Sequence, residues 1–165
     1  MTPAGSGRQL VVFRLHGELY GLPLGAVREI IRYTAPSATA AATGLIQGMI
    51  NLRGQVLAVA DLSGRLGRPP VEITRTTRIL VLELAGGSLG LIVDNVEGVR
   101  DVPAEQVGPL PVAGGEDSVG EEIAAVDDRL ILLLDPERAL AGVLGRPAPR
   151  RRTTRRAPAK RTGGT

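Results

Sequence analysis

Residues 46–67 read IQGMINLRGQVLAVADLSGRLG: an apolar run, an arginine beside a glycine, a second apolar run, then an aspartate opening a short polar tail. Glycine in the Arg53-Gly54 pair permits positive φ, so the two apolar runs are expected to form a hairpin bent there. Asp61 stands where a helix N-cap belongs, and a short helix is expected over residues 62–66. Arg53 has no histidine, cysteine or paired carboxylate beside it. Between Leu52 and Gly54 its guanidinium can stand at the edge of an apolar surface and fork to a partner's carboxylate, which makes it a binding candidate rather than a catalyst.

The same plan recurs along the chain. Residues 8–30 (RQLVVFRLHGELYGLPLGAVREI) overlie residues 77–99 (TRILVLELAGGSLGLIVDNVEGV) at a shift of 69, matching Val12 with Val81, Gly17 with Gly86, Gly21 with Gly90 and Val27 with Val96. The opening stretch overlies EEIAAVDDRLILLLDPERAL at a shift of 74, with Asp61 on Asp135 and Leu66 on Leu140. Each copy is expected to hold a first hairpin, bent at residues 16–18 or 85–87. A Val-containing segment and a second hairpin follow, the latter bent at Arg53-Gly54 or Asp127-Asp128. Asp135 followed by Pro136 predicts a second short helix over residues 136–144. The run LILLL at 130–134 is apolar on both faces and must be covered on both. The expectation is a mainly β chain of two compact barrels or curled sheets sharing an apolar core, with the groove between them open to a partner.

Composition narrows the function. At 165 residues the chain suits one domain or two small halves, with three aromatic residues and no cysteine. Disulfides and thiolate metal sites are excluded, and the scarcity of aromatics argues against base-stacking platforms. No apolar run approaches roughly 18 residues, so no transmembrane segment is expected and a cytoplasmic location is. From Arg146 onward lie eight of the twenty basic residues and no acid, leaving twelve basic against seventeen acidic in the rest. That tail, residues 146–165, is expected to be disordered, as are residues 1–7. Its runner-up functional reading is loose attachment to nucleic acid or anionic lipid.

A catalytic site is not legible. Gly86-Gly87-Ser88-Leu89-Gly90 fits the Gly-x-Ser-x-Gly elbow, but it joins two strands where the elbow needs a strand, a turn and a helix. The sole histidine, His16, reads as a hairpin-edge residue. Scattered acids offer no metal cluster, and a single lysine, Lys160, leaves no phosphate loop. No cofactor or metal is expected. Glu121-Glu122 and Asp127-Asp128 read as solvated turns.

The segment GMINLRGQVLAVADLSGRLG at 48–67 resembles the signature of the CheW-like chemotaxis coupling proteins: a Gly-Val-Ile-Asn-Leu-Arg-Gly strand and turn, a second apolar strand, and Asp-Leu before a short helix. YGLPLGAVREII (20–31), SLGLIVDNVEGV (88–99) and LILLLDPERAL (130–140) match the other characteristic stretches in order. The resemblance spans about residues 9–144, within a domain taken as 8–145 with repeat cores at 8–66 and 77–140. It implies two SH3-like five-stranded β-barrel subdomains on a shared core. It also implies a non-catalytic adaptor joining a chemoreceptor's cytoplasmic tip to the regulatory domain of a histidine kinase, in two-component signalling at membrane receptor arrays. Carried over by position, Arg53 in Asn51-Leu52-Arg53-Gly54 faces the receptor, with Val27 and Glu29 as neighbours. Asp94 and Val96 match positions of the family motif in the second copy, where a structural role stands beside a partner-binding one and neither partner is assigned.

Overall fold

The computed structural model describes residues 7–38, 44–111, 119–141 and 143. The basic tail and nearly all of the N-terminal segment lie outside those residues.

Eleven strands are described: β1 (Arg8–Leu15), β2 (Glu18–Pro23), β3 (Val27–Arg32), β4 (Ile46–Leu52), β5 (Gln55–Ala60), β6 (Arg78–Leu84), β7 (Gly87–Val93), β8 (Asn95–Val102), β9 (Val107–Pro109), β10 (Glu122–Val126) and β11 (Arg129–Leu133). Short 3-10 turns cover Leu24–Ala26, Leu62–Leu66 and Ala104–Gln106, and one α-helical turn, α1, covers Pro136–Ala139. Three tight hairpins form where the sequence places them. His16 (φ 53°) with Gly17, Arg53 (φ 51°) with Gly54, and Asp127 with Asp128 all hold both central residues at positive φ. That geometry matches the twist of two-residue hairpins.

The strands form two sheets, ordered β8-β1-β2-β11-β10-β9 and β3-β6-β7-β5-β4. This corrects the expectation of two five-stranded barrels: neither sheet closes, and one has six strands. Each sheet is assembled from both repeats. The first hairpin of one copy pairs with the single strand and the second hairpin of the other, joined in parallel by β11 on β2 and by β5 on β7. The two parallel junctions are equivalent: Leu133 lies opposite Gly21, and Val59 opposite Gly90. Where closure would need a ladder between edge strands, side chains meet instead. Arg53 in the β4–β5 turn pairs with Glu29 on β3, and Asp127 in the β10–β11 turn pairs with Arg100 on β8. Charged edges discourage further strand addition.

The interlocked arrangement explains the doubly apolar strands. Along β1, Val11, Phe13 and Leu15 enter the main core while Leu10 and Val12 enter a second cluster with Ile131, Leu133, Ala124 and Val126. The main core lies between the sheets, where Phe13 stacks on Tyr20 at 5.9 Å and meets the β6 and β7 runs Ile79 to Leu82 and Leu89 to Val93. Burial of this kind is worth roughly 1.5–3 kcal/mol for each large aliphatic side chain. Gly21 and Gly90 lie on the strands that form the parallel junctions, where neighbouring side chains crowd the backbone. A Cβ at Gly90 would stand 2.8 Å from Ile79 Cγ2, and one at Gly21 3.2 Å from Ile131 Cγ2.

Both predicted helix caps form, although neither helix is long. Asp61 accepts from the Ser63 N–H at 2.8 Å, and Asp135 from those of Glu137 and Arg138. The first turn is a 3-10 helix. The second ends at Ala139, short of the expected residue 144, because Leu140 (φ −113°, ψ 23°) leaves helical geometry and the next N–H groups, of Ala141 and Val143, bond three residues back, to Arg138 and Leu140.

Candidate partner-binding surface

The first-copy candidates meet at one corner of the five-stranded sheet. Asn51 accepts the Gly54 N–H at 2.8 Å and so pins the hairpin turn. The pinned turn holds Arg53 outward, its side chain 67% exposed, with the guanidinium on the carboxylate of Glu29. Leu52 and Val27 turn to the main core and are half-buried there. Val27 lies opposite Leu82 and Glu29 opposite Val81, across a bulge that re-aims the edge strand. Asn51, Leu52, Arg53 and Gly54 are thus brought to Glu29, with Val27 two residues away on the same strand.

Asp94 and Val96 lie elsewhere. The Asp94 carboxylate accepts the His16 N–H at 2.6 Å, its own N–H donates to the Arg14 carbonyl at 2.9 Å, and its carbonyl accepts from the Thr76 hydroxyl at 3.0 Å. Asp94 therefore ties the β1–β2 turn to the segment that joins the repeats. Val96, opposite Phe13, packs on the main core.

The equivalent corner of the six-stranded sheet has the opposite charge. Asp127 occupies the place of Arg53 and pairs with Arg100. Nearby, Glu97 on β8 takes bonds from Arg14 at 2.8 Å and Arg129 at 3.1 Å. Burial works against its charged form, but the hydrogen bonds from Arg14 and then Arg129 outweigh it and hold the carboxyl below its usual range. The pair related to Arg14–Glu97 by the repeat is Glu83–Arg28 at 3.4 Å, again inverted. Each corner also carries an exposed aliphatic three residues after its charged turn residue: Val56 at 67% and Leu130 at 63%. Val56 carried no expectation, whereas Leu130 opens the run at 130–134 expected to be covered on both faces and instead stands exposed; the shift of 74 aligns the two. Ile30 and Val99, likewise exposed, are partners under the shift of 69. Arg100 carried no signal, because its counterpart in the first copy is Ile31.

Ser88 of the Gly-x-Ser-x-Gly segment lies within β7, donates to Glu83 at 2.8 Å and accepts from Arg28 at 3.2 Å. His16 instead lies 2.8 Å from the Ser63 hydroxyl. Among the described residues no group of three or more His, Cys, Asp or Glu could hold a metal ion, and no helix is long and apolar enough to cross a membrane.

A sheet-assembled repeat whose exposed corners carry paired charges and bare aliphatics has the surface of a protein of recognition. The CheW-like domain family model matches residues 9–143. A probable chemotaxis protein CheW of Rhizobium etli is 33% identical over 132 residues, covering 79% of this chain and 85% of that protein. The chemotaxis protein CheW of Rhizobium meliloti is 33% identical over 131 residues, covering 78% and 84%. The crystal structure of the scaffolding protein TtCheW from Thermoanaerobacter tengcongensis superposes with a TM-score of 0.70 at 33% identity, covering 78% of this chain and 88% of that one. The chain belongs to the CheW-like domain family. Its role is that of a non-catalytic adaptor in chemotaxis signalling.

Proposed function

We propose that the chain couples the cytoplasmic tip of a chemoreceptor to the regulatory domain of a histidine kinase, in the cytoplasm and at membrane receptor arrays. The observation that carries this reading is the pair of equivalent corners with inverted charge. One fold repeated within one chain presents the same shape twice, with Arg53 and Val56 at one place and Asp127 and Leu130 at the other. Two surfaces alike in shape and opposite in charge select two different partners, because a like charge set against either corner is repelled.

In this reading Arg53 meets the receptor. Its ion pair with Glu29 is exposed, so exchanging Glu29 for a receptor carboxylate costs little. Asn51 and Gly54 hold the turn, while Leu52 and Val27 fix the corner to the core. The Asp127 corner faces the kinase, with Val96 and Asp94 stiffening the neighbouring β7–β8 junction. Signal passes as linkage: an adaptor that binds both partners transmits the difference in its affinity for their signalling states.

A pull-down with purified kinase regulatory domain tests the reading, using the full chain, a chain ending at residue 145 and Arg53→Glu. Kinase binding is expected in all three, with receptor-dependent kinase activation lost only in Arg53→Glu. No kinase contact by the full chain overturns the proposal. Binding that vanishes with residues 146–165 and weakens steeply with salt would instead favour attachment to nucleic acid or anionic lipid through the tail.

A further inference from the structure

Eight arginines among the described residues pair with a carboxylate: Arg8, Arg14, Arg28, Arg53, Arg68, Arg100, Arg129 and Arg138. Three that do not are gathered at one end of the five-stranded sheet. Arg32 closes β3 and Arg78 opens β6, and the two are register partners in the ladder. Arg78 Nη1 donates to the carbonyls of Arg75 and Thr77, each at 2.9 Å, which draws Arg75 to the same end. The turn bearing Arg75 is braced: the Thr77 N–H donates to the Thr74 carbonyl at 3.2 Å and the Thr74 N–H to the Thr77 hydroxyl at 2.8 Å. Thr76 ties it to the Asp94 carbonyl.

Like charges placed directly opposite in a ladder destabilise it. The fold does not require them, because at the equivalent place in the six-stranded sheet the register partners are Gln9 and Asp101. Three arginines brought to one end of the sheet, none within ion-pair distance of a carboxylate among the described residues, form a positive spot on a body whose first 145 residues carry seventeen acids against twelve bases. A duplex or a membrane surface would press its charge against that whole body. A short carboxylate-bearing segment would touch the spot alone.

We propose that Arg32, Arg75 and Arg78 form a docking patch for an extended acidic segment of a partner protein, two or three of whose carboxylates fork onto the guanidiniums. The patch is separate from the Arg53 corner and does not depend on what that corner binds. Docked carboxylates relieve the repulsion between Arg32 and Arg78, so binding and ladder stability are coupled.

Titration of the 15N-labelled full chain with hexaglutamate tests this. Saturable shifts at the amides of Arg32, Arg75 and Arg78 are expected, whatever the tail does. Arg32→Gln with Arg78→Gln should weaken that binding by about tenfold or more, the loss of charge-assisted bonds, while Arg65→Gln leaves it unchanged. Arg32→Glu alone should abolish it and yet raise the thermal midpoint by about 2–4 °C, because an opposite-charge pair replaces a like one. That single variant decides the matter if the double variant does not fold. Shifts confined to residues 146–165, unchanged affinity in Arg32→Glu, or tighter binding of an oligonucleotide or of anionic vesicles at the same three amides would overturn the proposal.

Discussion

Arg53 and Asp127 stand at the same corner of two equivalent hairpins and reach opposite charges: the arginine pairs with Glu29 on β3, the aspartate with Arg100 on β8. The repeat supplies the geometry twice, and the side chains then make the two copies unlike. Differentiation of this kind gives one small chain two corners of the same shape and unlike chemistry without two folds.

Reversing the first pair separates its structural role from its binding role. Arg53→Glu sets like charges together at an exposed turn and should cost no more than about 1 kcal/mol in urea unfolding, while receptor-dependent kinase activation is lost. Glu29→Arg combined with Arg53→Glu restores the pair. Unfolding should then return to the parent midpoint with activation still absent. Recovered activation would mean that the ion pair, and not the arginine itself, is what the receptor needs.

Gly90 and Gly21 are equivalent positions with unequal room. Gly90→Ala pushes a methyl to 2.8 Å from Ile79 Cγ2, a branch fixed at its own Cβ, with Leu57 and Val59 behind at 3.5 Å. A destabilisation of about 1–3 kcal/mol is expected. Gly21→Ala meets its nearest neighbour at 3.2 Å and should cost less. Urea midpoints of the two variants give the comparison directly.

Asp61 and Asp135 are both helix caps, but only one is a buried hub. Asp61 is 5% exposed and accepts the Ser63 N–H at 2.8 Å with one oxygen and the Val71 N–H at 2.9 Å with the other. Asp61→Ala orphans two donors in the interior and should cost about 2–4 kcal/mol. Asp135→Ala removes exposed bonds of 3.2 and 3.3 Å and should cost about 1 kcal/mol. Equal losses in thermal unfolding would refute the distinction.

Glu97 predicts a direction with pH. Its folded carboxyl titrates below the usual glutamate value of about 4.3, so its contribution to stability is complete above that value and is lost as pH falls through the lower, folded one. Arg14→Gln and Arg129→Gln should each move the Glu97 side-chain titration, followed by carbon NMR, upward toward the ordinary value. A titration that stays in place in both variants would mean that the two arginines are not its cause.

Much of the architecture was readable without coordinates. The constant shifts of 69 and 74 exposed the repeat, and glycine or aspartate at residues 17, 54, 127 and 128 marked hairpins because few residues accept positive φ. Asp61 and Asp135 marked helix starts because a carboxylate satisfies the orphan N–H groups there. Arg53 drew notice as a cation between apolar strands. These are local facts, set by a few neighbouring residues and the stereochemistry of the backbone. Which strand lies beside which was not local. A self-similar sequence says that β1 is like β6, not that β2 pairs with β11 of the other copy, and both pairings bury the same kind of side chain. Packing alone chose two interlocked open sheets over two closed barrels. Packing also brought Arg53 to Glu29, gathered Arg32, Arg75 and Arg78, and turned Asp94 onto His16, because charges far apart in the chain acquire partners only after the cores have closed beneath them.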